Sequence, residues 1–96
     1  MAKAYWVSTY RARPDPDKMA AYGKLAGPAI LAAGGRFIAL GTAAYAFEQG
    51  VAQRTVLIEF DSLEAALAAH ETPAYQAALA ALADGAQRDL RIVEGV

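Results

Sequence analysis

Cysteine is absent from the 96-residue chain. This excludes disulfide scaffolds, thiolate zinc sites and cysteine nucleophiles. A single histidine, His70, argues against a multi-histidine metal centre, so neither a metal nor another cofactor is expected. Neither charge is in surplus. Nine Lys and Arg against ten Asp and Glu give a net charge of −1, whereas a nucleic-acid-binding domain carries a basic excess or stripe. No apolar run approaches the roughly 20 residues of a membrane span. The opening Met1-Ala2-Lys3-Ala4-Tyr5-Trp6 lacks the long apolar stretch and small-residue cleavage site of a signal peptide. The expectation is a cytoplasmic protein that binds neither nucleic acid nor membrane.

What is present is mostly small. The hydrophobic fraction is 56%, but 25 of those residues are alanine and 29 are bulkier. Alanine favours helix and fills little volume. The chain suffices for one domain with a modest core. A further apolar surface, such as a dimer interface, would complete it.

The bulky residues mark four strands and two helical segments. Ala4-Tyr5-Trp6-Val7-Ser8-Thr9-Tyr10 is rich in aromatic and β-branched residues, as strands are. Asp15-Pro16 suits a helix N-cap followed by proline at the first helical position. Met19, Tyr22, Ala26, Ala29, Ile30 and Ala33 continue at helical spacing. Pro28 lies within this stretch and predicts a kink or break near Ala26 and Gly27. Gly34-Gly35 ends it. Arg36 to Leu40 is a second strand, with Gly41 as a bulge and pairing resumed over Ala43 to Glu48. Gln49-Gly50 turns the chain into a third strand, Arg54 to Phe60. Asp61 as cap and Glu64 three residues later begin the next helix. It is interrupted at Thr72-Pro73, which restarts it, and Gly85 ends it. Arg88 to Glu94 is the last strand.

This order, βαββαβ, predicts a ferredoxin-like α+β sandwich: a four-stranded antiparallel sheet with helices on one face. In the first strand Tyr5, Val7 and Thr9 alternate with Trp6, Ser8 and Tyr10. In the third, Val56, Ile58 and Phe60 alternate with Thr55, Leu57 and Glu59. Neither face is cleanly polar, so the face away from the helices is expected to be covered by a second copy of the chain.

Five segments form a recognisable set: Tyr5-Trp6, Pro28, Gly34-Gly35-Arg36-Phe37, Ile58-Glu59-Phe60-Asp61-Ser62 and Thr72-Pro73-Ala74-Tyr75-Gln76. Together they resemble the domain-of-unknown-function family numbered 1330, of the dimeric α/β-barrel superfamily, over essentially the whole chain. Two residues depart from the family pattern: Ala74, where an acidic residue is usual, and His70, where an aromatic or asparagine-like residue is common. The resemblance implies a homodimer packed through its sheet faces, with clefts between sheet and helices. Relatives in the superfamily include cofactor-free monooxygenases, isomerases, haem-degrading enzymes and plain binding proteins. The resemblance therefore bears on architecture more than on reaction.

Three groups of residues could carry chemistry. His70 ends an apolar helical stripe, where it is either a general base or a half-buried histidine at a helix terminus. Glu59 shares a sheet face with Leu57, and Arg36 opens the neighbouring strand. The two are either polar anchors for a ligand or a structural ion pair. Among the aromatics, Trp6 and Tyr22 are the preferred pocket residues, with Tyr10, Tyr45, Phe47 and Tyr75 as core, interface or pocket alternatives. The leading expectation is a homodimer binding a small, mostly apolar, oxygenated molecule between sheet and helices. Arg36 and Glu59 would anchor it, with Trp6, Tyr22 and His70 in the wall. The alternatives are a cofactor-free monooxygenase or isomerase with His70 as catalytic base, and an accessory dimer with no ligand.

Overall fold

The computed structural model describes residues 2–96. Strand β1 (Ala4–Tyr10) leads into helix α1 (Pro16–Ala32). Strands β2 (Arg36–Thr42) and β3 (Arg54–Phe60) follow, then helices α2 (Leu63–His70) and α3 (Pro73–Leu82), and strand β4 (Arg88–Glu94) closes the chain. The sheet order is β2-β3-β1-β4 and every pairing is antiparallel. This is the ferredoxin-like α+β fold, with the second helical segment divided in two.

Each helix starts on a side-chain cap. Asp15 accepts from the amides of Asp17 and Lys18 at 3.0 Å, and Thr72 Oγ1 accepts from Tyr75 N at 3.2 Å. Both caps precede a proline whose missing N–H has no role at that position. At α2 the cap is Ser62, whose Oγ accepts from Ala65 N at 3.1 Å, and not Asp61. The Asp61 carboxylate is engaged instead by Arg36 and Lys3.

Three local expectations are corrected. Helix α1 runs unbroken through Pro28. Pro28 and the residue four before it, Lys24, are both exposed, so water can satisfy the carbonyl that loses its donor. Gly27, lacking Cβ, avoids the clash that a proline imposes on a preceding helical residue. The bulge in β2 lies between Phe37 and Ala39, not at Gly41, and β2 ends at Thr42. Residues 43–53 form a loop instead of a resumed strand, tightened where Gly50 N donates to Phe47 O at 2.9 Å.

Alternation along the strands sets the two sheet faces. Trp6 stands opposite Ile58 and Ile92, and Ser8 opposite Val56 and Leu90. These residues point toward the helices. Trp6, Phe60 and Tyr75 are the largest fully buried side chains. Trp6 is central: its ring lies 5.2 Å from Phe60 and 4.9 Å from Tyr75, and its Nε1 donates to the Ala66 carbonyl at 2.9 Å. At the turn into β2, Gly34 takes φ +91°. Next to it, a Cβ on Gly35 would fall 2.6 Å from Ile30 and 2.9 Å from Phe60. The double glycine thus lets α1 close tightly onto the sheet. The opposite sheet face carries no helix, and the molecule is a slab of 34 × 31 × 16 Å. Among the described residues no helix is long and apolar enough to cross a membrane.

Candidate functional site

A cleft of about 130 Å³ opens between α1 and the sheet. From mid-sheet, Trp6, Val56 and Ile58 supply its floor. From α1, Met19, Tyr22, Ala26 and Ile30 supply a wall. Phe37 and Leu40 of the edge strand flank it, both partly exposed. Gly23 also lines the cleft, and a Cβ added there would meet nothing within 4 Å. A cavity of about this size accepts one benzene-sized ring.

One end of the cleft is polar. Tyr10 closes β1, Arg54 begins β3 and Arg88 begins β4, so three strand ends converge there. The Arg88 and Arg54 guanidinium carbons lie 5.6 and 6.0 Å from the centre of the Tyr10 ring, and Arg88 lies 4.9 Å from the Tyr22 ring. Arg88 Nη1 donates to the phenol oxygens of Tyr10 at 3.3 Å and Tyr22 at 3.2 Å. Its Nη2 donates to Tyr75 at 3.3 Å. The Tyr22 and Tyr75 oxygens are 2.8 Å apart.

Electrostatics keeps these groups in defined states. Burial, reinforced by the hydrogen bond to Tyr75, pushes the Tyr22 phenol well above its ordinary value, while Arg88 pulls the other way. Tyr22 is therefore a neutral phenol at physiological pH. For Arg88, burial works against the charge, but the surrounding phenol oxygens raise it overall above the usual guanidinium value. Arg88 thus remains a cation in a mostly apolar wall.

Two side-chain atoms on this cleft are buried without a hydrogen-bond partner, Ser8 Oγ and Arg54 Nε. Ser8 is 4% exposed. An unmatched buried hydroxyl costs about 1–3 kcal/mol unless something supplied from outside satisfies it.

The structure brings together only part of the expected site. Trp6 and Tyr22 line the cleft, as does Tyr75. Arg36 and Glu59 do not. Alternation puts Glu59 beside Tyr5 on the sheet face away from the helices. There Arg36 Nε donates to Glu59 Oε1 at 3.0 Å, and Arg36 Nη2 donates to Asp61 at 2.9 Å. Tyr5 donates to Glu59 Oε2 at 3.4 Å. These residues form an ion-pair network and are not anchors of the cleft. His70 is also outside the cleft wall. It lines a separate shallow groove with Leu67, Leu90 and Ile92. Its Nδ1 lies 2.6 Å from Glu71 Oε2, and its ring meets the rings of Trp6 and Tyr75 at 5.9 and 5.4 Å. Tyr45 and Phe47 stand exposed on the 43–53 loop.

Ser8, Arg54 and Arg88 are the polar cleft residues the sequence reading missed. A signal for the arginines exists. Arg88, Leu90 and Ile92 share one strand face, as do Arg54, Val56, Ile58 and Phe60. Each arginine thus occupies the first position of an otherwise apolar alternation, which places it on the buried side.

No curated protein matches the sequence. Solved structures match its fold. A protein of unknown function from Rhodopseudomonas palustris superposes with a TM-score of 0.76 at 18% identity, covering 99% of this chain and 83% of that one. A dimeric ferredoxin-like protein of unknown function from Thermobifida fusca gives 0.64 at 20% identity, covering 98% and 92%. SnoaB, a cofactor-independent oxygenase from Streptomyces nogalater, gives 0.63 at 12% identity, covering 100% and 95%. At these identities the likeness is one of fold alone. The sequence itself matches, over residues 3–96, the family described as Domain of unknown function (DUF1330), and the chain belongs to that family.

Proposed function

We propose that the protein is a homodimer that binds a small, mostly apolar, oxygenated molecule in the cleft between α1 and the sheet. The observation that carries this reading is the Ser8 hydroxyl, buried and unpartnered on a cavity otherwise walled by apolar and aromatic side chains. Polar atoms of this kind orient ligands in apolar pockets. Gly23 adds support. Glycine inside a helix costs about 1 kcal/mol relative to alanine, and no neighbouring atom requires its small size.

Dimerisation through the open sheet face has three supports. The chain's accessible surface is 6044 Å², against about 5,300 Å² for a compact monomer of its mass. Tyr5, Val7 and Leu57 are only half-covered on a face that carries no helix. The Thermobifida fusca neighbour is described as dimeric. A cofactor-free oxygenase or isomerase using His70 has less support, because the ionisable groups on the cleft are tyrosines and arginines and His70 lies outside it.

The test is a thermal-shift screen of single-ring and short-chain compounds, charged and neutral, on wild type and Gly23→Leu. Compounds that raise the melting temperature of wild type and lose that effect in Gly23→Leu support the cleft as the site. A screen without hits, or hits that Gly23→Leu leaves untouched, removes the reading.

A further inference from the structure

The polar groups around the cleft are unbalanced in kind. Arg88 can only donate, and so can Arg54. Tyr22 and Tyr75 each have one O–H, yet they share one contact, at 2.8 Å. Whichever of them donates there, the other keeps a proton with no acceptor, since their remaining partner is Arg88. The Ser8 hydroxyl and Arg54 Nε–H add two more donors without acceptors. No Asp or Glu lines the cleft.

The charges are unbalanced as well. Arg11, Arg36, Lys3 and Lys18 each pair with a carboxylate, and Arg13, Lys24 and Arg91 stand exposed to solvent. Arg54 and Arg88 have no carboxylate within ion-pair distance among the described residues, although they flank the same Tyr10 ring. The phenols around Arg88 stabilise its charge but do not neutralise it, so two cations at one end of a mostly apolar cavity attract an anion.

We propose that the cleft is a monocarboxylate site: the ligand's carboxylate meets Arg88, Arg54 and the spare phenol proton, and an apolar body of about one ring lies toward Trp6 and Ile58. This rests on the reading of the cleft as a ligand site and narrows it to an anion. A carboxylate supplies what the donors lack, two oxygens with about four acceptor positions, while the rest of such a molecule stays apolar. The distribution of the wall matches. The strand ends that carry Tyr10, Arg54 and Arg88 are polar, and the mid-sheet positions Trp6, Val56 and Ile58 are not.

Benzoate and benzamide separate the two levels of the argument, because they share shape and differ in charge. Calorimetric titrations at low salt would be run on wild type, Arg88→Gln and Gly23→Leu, with circular dichroism to verify folding. The expected result is that benzoate binds wild type at least about tenfold more tightly than benzamide, and that Arg88→Gln erases most of that preference, the size expected for hydrogen bonds to a charged partner. Should Arg88→Gln fail to fold, Arg54→Gln, on the other side of Tyr10, makes the same comparison. Equal binding of the two probes, or a preference that survives both arginine variants, overturns the anion proposal. If Gly23→Leu still blocks benzamide in that case, the cleft reading stands. Failure of both probes to bind wild type overturns the two together.

Discussion

The phenol oxygens of Tyr22 and Tyr75 meet at 2.8 Å in the wall of the cleft, although they come from α1 and α3 and lie 53 residues apart in sequence. Arg88 reaches both of them, from β4. One cation thus ties two helices to the sheet through a pair of phenols. A hydrogen-bonded group of this kind fixes geometry, since each member loses a partner if one moves. It also defines the cleft: the same three side chains that hold the layers together line the space between them.

Because Tyr22 is held above its ordinary pKa when folded, it keeps its proton at a pH where the unfolded chain gives it up. The stabilising contribution is therefore complete below about pH 10 and is lost as pH rises toward the folded value. Wild type should lose about 1 kcal/mol more than Tyr22→Phe between pH 10 and pH 11. Urea denaturation of both proteins at the two pH values measures the difference, and parallel losses would show that Tyr22 ionises freely in the folded chain.

Ser8 offers a separation of stability from binding. Its hydroxyl is buried without a partner, so Ser8→Ala should stabilise the empty protein by about 1 kcal/mol. For a domain of this size that is about 5 °C in melting temperature. The same substitution should weaken benzoate by about fivefold if the hydroxyl meets the ligand. A variant that is less stable than wild type would mean that Ser8 Oγ already has a partner, such as a bound water.

Much of this architecture is legible in the chain. Asp15-Pro16 and Thr72-Pro73 announce two helix starts because the cap and the proline act locally. The alternation of Val56, Ile58 and Phe60 announces a buried strand face for the same reason. The site is less legible because its parts meet only after folding. Arg88 reaches Tyr10 across 78 residues and Tyr22 across 66. The Arg36–Glu59 pair was readable as a contact between neighbouring strands. Its side of the sheet depended on Glu59 sharing a face with Tyr5 and not with Trp6, and that face turns away from the helices. Pro28 misled for a physical reason too, since a proline on an exposed helix face leaves its orphaned carbonyl to water.

Leu57 tests the dimer. It stands opposite Val7 and Ala39 on the helix-free sheet face and is half-covered in the single chain. Leu57→Asp should therefore leave the fold intact and place a desolvated charge at the centre of a sheet-to-sheet interface. Light scattering should report about twice 10.1 kDa for wild type and about 10.1 kDa for the variant. A monomeric wild type would remove the interface, and a dimeric Leu57→Asp would move it elsewhere.

His70 and Arg36 test where the cleft ends. His70 meets Trp6 edge-on and Tyr75 at a tilt, and lines a groove with Leu67 and Ile92. Arg36 belongs to the network with Glu59 and Asp61 on the opposite sheet face. Neither touches the space between α1 and the sheet, so His70→Ala and Arg36→Ala should each keep benzoate affinity within about twofold of wild type, whereas truncation of a charged hydrogen-bonding partner costs tenfold or more. Their effects should fall elsewhere. His70→Ala removes an aromatic neighbour from Trp6 and should cost about 1 kcal/mol of stability. Arg36→Ala leaves Glu59 without its cation on the face assigned to the dimer and should raise the dimer's dissociation constant. A tenfold loss of benzoate in His70→Ala would mean that the cavity continues past Trp6 into the His70 groove. The histidine would then regain its standing as a site residue, and the donor set around Arg88 would be one part of a longer binding channel.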